Sequence, residues 1–193
     1  MKRRAFLLLP LLTVVSQRLL AFLKPTPMDL EGPFYPEVPI PIRNNLVKHA
    51  GGVARGRHLA LTGRVTDLSG NPQPEVLVEI WQCDSMGRYR HPHARGAEYV
   101  DPHFAGFGAY RTGPQGKYDF KTLVPVPYAG RPPHIHVKIV QGHREMLTSQ
   151  LYLKDGIADG GGSWNIANRA ELVIDPKEIS VDHFQAEFDF VIS

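Results

Sequence analysis

The residues from His58 to Gln82, HLALTGRVTDLSGNPQPEVLVEIWQ, read as two strands around a turn. HLALTGRVT (58–66) alternates apolar and polar side chains with the period of two that a half-buried strand requires. DLSGNPQP (67–74) collects turn-forming residues, and VLVEIWQ (76–82) resumes an extended apolar run. The pattern continues down the chain. GAYRT (108–112) and KYDFKTL (117–123) flank the loop GPQG and read as a hairpin. HIHVKIV (134–140) and LTSQLYL (147–153) alternate in the same way, and ELVI (171–174) and EFDFVIS (187–193) are strand-like. Short strands with Gly/Pro turns and almost no helical periodicity predict an all-β fold, a β-sandwich of mainly antiparallel strands with long loops, over residues 58–193. GIADGGGSWNIAN (156–168) reads as a flexible surface loop. Upstream, KPTPMDLEGPFYPEVPIP (24–41) is too rich in proline for a helix. Residues 23–57 are therefore expected to form an extended N-terminal arm lying on the domain, anchored by Phe34 and Tyr35.

The 193 residues carry 22 Lys+Arg against 19 Asp+Glu, a formal net charge of +3, which invites a nucleic-acid partner. The charge is concentrated at the start. Lys2, Arg3 and Arg4 precede an apolar run from Ala5 to Val15, about half the length that spans a bilayer as a helix. A basic segment before a short apolar one is the pattern of an export signal, and Arg3-Arg4 followed by Ala5-Phe6-Leu7 resembles the twin-arginine export motif. Residues 1–22 are read as that signal, placing the protein outside the cytoplasm; the alternatives are an uncleaved N-terminal anchor or a cytoplasmic protein. Without residues 1–22 the balance is 18 Lys+Arg against 19 Asp+Glu, so no nucleic-acid partner is expected, nor a stable membrane span in the mature domain. At 42% hydrophobic and 21% charged residues the chain is neither disordered, nor collagenous, nor a multi-span membrane protein. One cysteine, Cys83, forbids an intramolecular disulfide, and its setting EIWQCD points to a buried structural thiol before a nucleophile.

Chemistry concentrates in four places. In His134-Ile135-His136 the two imidazoles share one face of a strand, which makes half a metal site or, more blandly, two solvent-facing histidines on an edge. The approach to them, VPVPYAGRPP (124–133), is stiffened by Pro125, Pro127, Pro132 and Pro133 and looks built to place Tyr128 and Arg131. GRYRHPH (87–93) supplies Tyr89 and a rival pair, His91 and His93. Gln150 lies in LTSQLYL, where an ordinary outward polar residue is the plain reading. Zinc patterns rich in cysteine are absent; a site of two histidines and one carboxylate would draw on Glu98 or Asp101. A phenol with a pKa near ~10 ligates as phenolate only to a strongly Lewis-acidic ion, for which ferric iron is the natural candidate.

Taken together, GRVTDLSGNPQPEVLVEIWQCDSMGRYRH (63–91), FAGFGAYRTGPQGKYDFKTLVPVPYAGRPPHIHVKI (104–139), TSQLYL (148–153) and the arm motif TPMDLEGPFYP (26–36) resemble the intradiol ring-cleavage dioxygenases, in particular the single-domain, protocatechuate dioxygenase-like members. The resemblance covers roughly residues 25–155. It implies Fe(III) held by Tyr89, Tyr128, His134 and His136, with Arg131 as electrostatic catalyst and Gln150 lining the substrate site; His91 and His93 match no family ligand. It implies cleavage of a catechol-type diol by O2 to a cis,cis-muconate-type dicarboxylic acid. The charges are consistent: a ferric ion is neutralised by two phenolates and a hydroxide, and a dianionic diol replacing the hydroxide and one phenolate keeps the sum at zero. Only Ala129 and Gly130 separate Tyr128 from Arg131, where larger relatives carry a long insert, which implies a more open pocket. From other classes, the same residues would suit a non-catalytic aromatic- or polysaccharide-binding sandwich, or a zinc or copper protein using the histidines.

Overall fold

The computed structural model describes residues 22–154 and 166–193. Residues 1–21 of the expected export segment and most of the loop 156–168 lie outside the described residues. Twelve strands follow in chain order: β1 (Lys48–His49), β2 (Gly52–Val53), β3 (His58–Asp67), β4 (Leu77–Trp81), β5 (Phe107–Arg111), β6 (Lys117–Leu123), β7 (His134–Gln141), β8 (Arg144–Leu153), β9 (Val173–Ile174), β10 (Lys177–Ser180), β11 (His183–Glu187) and β12 (Phe190–Ile192). Two 3₁₀ segments, Ala97–Tyr99 and Ile166–Leu172, are the helical elements among the described residues. The all-β expectation holds.

The strands form two sheets and a small hairpin. One sheet runs β5-β4-β7-β8-β9. In the other, β3 is central: β6 pairs antiparallel along one edge, while β11 and then β12 pair parallel along the opposite edge, and β10 extends the sheet beyond β11. Pairing is antiparallel except for β11 and β12 on β3 and β9 on β8.

Alternation along each strand decides what lies on either face. Ile135, Val137 and Ile139 of β7, Val78 and Ile80 of β4, and Leu147, Leu151 and Leu153 of β8 pack with Leu59, Leu61, Val65, Phe120 and Phe190 of the opposing sheet into the main core. The alternate residues of the same strands point away from that core. This outer face is covered by the arm and by loops, forming a second apolar cluster of Trp81, Cys83, Tyr89 and Ala94 with Phe34, Tyr35 and Tyr128 against it.

Two corrections to the sequence reading follow from the pairing. GAYRT and KYDFKTL do not form a hairpin: β5 pairs with β4 and β6 with β3, so GPQG crosses from one sheet to the other. Their apolar faces meet inside the sandwich, with the Tyr110 and Phe120 rings 6.1 Å apart. Alternation and turn residues are identical for a hairpin and for such an arch; only long-range pairing distinguishes them. In addition, β10 and most of β11 carry no pattern that the sequence reading recognised. β10 is exposed throughout and its sequence, KEIS, lacks an apolar alternation. In the arm Phe34 packs on Tyr89, with ring centroids 4.8 Å apart and planes tilted by 35°, and Tyr35 lies edge-on to Trp81. The arm's C-terminal part enters the core, where Leu46 is fully buried.

Candidate metal centre

Three neighbouring strands build the floor. In the antiparallel register Trp81 lies opposite His136, and His136 opposite Gln150; the next row pairs His134 with Tyr152. Directly opposed residues project on the same side of a sheet. The register alone therefore gathers Trp81, His134, His136, Gln150 and Tyr152 on the outer face. The Trp81 indole stacks on His136, with centroids 4.9 Å apart and planes at 9°, which fixes the imidazole's plane.

The two histidines are almost completely buried, and their Nε2 atoms lie 3.1 Å apart. His134 Nδ1 lies 2.6 Å from the Pro132 carbonyl. Donation of Nδ1–H to that carbonyl leaves the Nε2 lone pair directed at the centre. Burial, and then the Arg131 charge, lowers the pKa of His134 to about 4. His136 is held well below the usual imidazole range by burial, by His134 and by Arg131. Both rings are thus neutral at neutral pH, the form that can ligate a metal.

Tyr128 and Arg131 are placed by a two-residue turn. Ala129 (φ 47°) and Gly130 (φ 75°) both lie in the left-handed region, as a type I′ turn demands, and the Arg131 N–H donates to the Tyr128 carbonyl at 2.8 Å. The turn makes Tyr128 and Arg131 an antiparallel pair. The Tyr128 hydroxyl reaches to 3.4 Å from His134 Nε2, and Arg131 Nη2 donates to Gln150 Oε1 at 2.6 Å.

Tyr89 arrives from the loop after β4. Asp84 shapes that loop: its Oδ1 accepts from the Met86 and Arg88 N–H groups and its Oδ2 from that of Asp101, at 2.8, 3.0 and 2.9 Å. Tyr89 is buried, its ring 5.2 Å from Tyr128 and 6.2 Å from His136, and its Oη has no partner of good hydrogen-bond geometry. Burial first, then the neighbouring Tyr128, pushes its pKa far up; burial also raises that of Tyr128. Neither phenol ionises here unless a cation compensates it. A buried phenol oxygen without a well-aligned partner, beside a second phenol and two neutral imidazoles whose Nε2 atoms face each other, is a donor set that fits a hard, strongly Lewis-acidic ion.

All six residues singled out in the sequence, Tyr89, Tyr128, Arg131, His134, His136 and Gln150, come together here. The rivals do not. His91 and His93 face the arm, where His93 Nε2 lies 3.1 Å from Glu37 Oε1. Asp101 accepts from the Arg55 and His103 N–H groups, and Glu98 is exposed, so neither supplies a carboxylate. Among the described residues no three His, Cys, Asp or Glu side chains are grouped to hold a metal ion, which leaves a zinc or copper reading with two histidines. Cys83 is buried and burial pushes its thiol up to about 12, as a structural thiol should be. Sequence reasoning did not pick out Trp81, Asp84, Asp29 or Gly32. Asp29 and Gly32 lie within the arm motif TPMDLEGPFYP, and Trp81 and Asp84 within the stretch 63–91. Gly32 (φ 75°) presses its backbone on the centre: a Cβ there would sit 3.0 Å from His136 Cε1.

The family model described as Dioxygenase matches residues 30–131. A protocatechuate 3,4-dioxygenase beta chain from Burkholderia cepacia is 35% identical over 122 residues, 58% of this chain and 52% of the relative. A hydroxyquinol 1,2-dioxygenase from Corynebacterium glutamicum is 29% identical over 156 residues, 69% of this chain and 48% of the relative. The chain therefore spans about half the length of these curated relatives. Among solved structures, the dioxygenase domain of a dioxygenase and carbohydrate-binding protein fusion from Streptomyces sp. SirexAA-E superposes with a TM-score of 0.68 at 30% identity, covering 87% of this chain and 97% of that one. An intradiol ring-cleavage dioxygenase from Tetranychus urticae shares the fold with a TM-score of 0.72 at 24% identity, over 89% of this chain and 95% of that one.

Proposed function

Because this chain belongs to the intradiol ring-cleavage dioxygenase family, we propose that it uses Fe(III) to cleave catechol-type diols with O2 between the two hydroxylated carbons, giving cis,cis-muconate-type dicarboxylic acids. The observation that carries this reading is the gathering of Tyr89, Tyr128, His134 and His136 into one buried cluster, with Tyr89 Oη lacking a partner of good hydrogen-bond geometry. Those four residues would hold a ferric ion, which when bound would supply Lewis acidity to acidify the diol and make its ring reactive toward O2.

The chain's own groups divide the remaining work. Tyr128 Oη is the proton acceptor for one diol hydroxyl: its side chain is half-buried and sits on a short turn, whereas Tyr89 is locked under Phe34. Tyr89 remains the permanent phenolate. Arg131 places a fixed positive charge where the ring and the incoming oxygen accumulate negative charge. Gln150, anchored to Arg131 and to the Leu30 carbonyl, fixes the guanidinium and one wall of the diol site. The Gly32 backbone and the Trp81–His136 stack exclude water from the inner side.

The decisive test is a visible spectrum of the iron-loaded protein together with oxygen uptake on catechol, protocatechuate and hydroxyquinol. The expected results are a colour from phenolate-to-iron charge transfer and uptake with at least one diol. A colourless protein that binds iron would sink the two-tyrosinate centre. A coloured protein that consumes no oxygen would favour a binding role.

A further inference from the structure

Resting on that reading, the hydrogen bonds around Arg131 extend beyond the site to the N-terminal arm. Gln150 is fully buried and its amide is held at three points. Its Nε2 donates to the Leu30 carbonyl, while its Oε1 receives Arg131 Nη2 at 2.6 Å and the Tyr152 hydroxyl at 3.1 Å. Tyr152 is also fully buried, two residues along β8 on the same face. Its hydroxyl reaches Asp29 Oδ2 at 2.9 Å. A phenol has one proton, so Tyr152 shares it between the carboxylate and the amide oxygen.

Asp29 is a side chain only 4% exposed, paired with Arg169 and bonded at Oδ1 by the Leu30 N–H at 2.7 Å. Burial works to raise its carboxyl, but Arg169, the Leu30 N–H and Tyr152 hold it below the usual carboxylate range. Asp29 N–H in turn donates to the Thr148 carbonyl of β8 at 3.0 Å, fastening this part of the arm to the strand that carries Gln150. None of these groups faces the metal centre as a ligand. All of them converge on the amide that orients Arg131.

We propose that Asp29 and Tyr152 are positioning residues for Arg131: the arm carboxylate fixes the Tyr152 hydroxyl, Tyr152 and Leu30 fix the Gln150 amide, and the amide aims the guanidinium. A turned-over amide would set its NH2 against Arg131 and lose the acceptor, so the contact from Gln150 to the guanidinium lasts only while the amide is held.

The test is a mutant cycle in the iron-loaded enzyme plus a measurement on the full chain without iron. Tyr152→Phe and Asp29→Asn are expected to lower kcat about tenfold, move KM less than about threefold, and leave the iron–phenolate colour unchanged. In an Arg131→Ala background the same substitutions should cost nothing further, because they act through the missing guanidinium. An additional tenfold loss in that background, or undiminished kcat in the single variants, overturns the proposal. Independently of turnover, ¹⁵N NMR of the iron-free chain should show hindered rotation of the Arg131 guanidinium, identified by its loss in Arg131→Ala. That hindrance should be relaxed in Tyr152→Phe and in Asp29→Asn; unchanged hindrance in both variants overturns it. Should the wild-type enzyme consume no diol, the proposed function fails, and the NMR result alone decides the positioning role.

Discussion

At the scale of single residues, the division of labour between the two tyrosines follows from their surroundings. Tyr89 is clamped by Phe34 and buried, while Tyr128 is half-buried on a turn. Tyr128→Phe is therefore expected to shift the colour of the iron-loaded protein and slow turnover about tenfold or more, since the proposed proton acceptor and ligand would be lost together. Arg131→Ala should lower kcat about a hundredfold with KM changing less than about threefold, the signature of an interaction made in the transition state. Equal changes in both constants would reduce Arg131 to a binding group. Gly32 tests the roof of the centre. Alanine there has to adopt φ 75° and brings a Cβ to 3.0 Å from His136 Cε1. Gly32→Ala should cost about 1–2 kcal/mol in denaturant melts and weaken iron binding in a chelator competition. The candidate ligands were legible in the sequence because HIH, PYAGR and GRYRH are local motifs. Gly32 and Asp29 were not, because a roof is defined only by what it covers.

At the scale of elements, the turn at Ala129–Gly130 is the tightest link between local sequence and site geometry. Two consecutive left-handed residues make Tyr128 and Arg131 cross-strand neighbours. Gly130→Val puts a β-branched side chain where φ must stay positive, which is expected to cost about 1–3 kcal/mol or open the turn. Both the colour and kcat should fall together, because one turn aims both side chains; loss of kcat with the spectrum intact would place the turn's influence on Arg131 alone. Strands were legible wherever one face is buried, as in HLALTGRVT and HIHVKIV. The arch between β5 and β6 and the exposed β10 were not, because the former depends on sheet partners and the latter buries nothing.

At the scale of the whole molecule, the outer face of one sheet is wetproofed by an arm rather than by a third layer. Tyr35 donates to Glu79 at 2.8 Å, and Lys138, nearly buried beside it, pairs with Glu31 of the arm and with Glu145. The iron-free protein should lose stability on acidification in two stages. His134 and His136 are neutral in the fold but protonate in the unfolded chain, so protons favour unfolding as the pH falls from 6.5 toward the folded value of His134, about 4. The depressed carboxylates Asp29, Asp101 and Glu145 add a second loss as the pH falls through and below the ordinary carboxylate range, because the unfolded state again binds protons more readily. Urea melts of the iron-free chain from pH 7.5 downward check this; stability constant to pH 5 would contradict the neutral buried pair. The sequence by itself determined the all-β class, the near-neutral balance of 18 Lys+Arg against 19 Asp+Glu beyond residue 22 and the six candidate site residues, since alternation, composition and short motifs are properties of neighbours along the chain. Tertiary structure decided which strands share a sheet, that Tyr89 crosses to meet His136, that His91, His93, Glu98 and Asp101 stay away, and that the arm reaches Arg131 through Gln150. Those contacts join residues far apart in the chain, and they exist only where packing the two faces of one sheet brings them together.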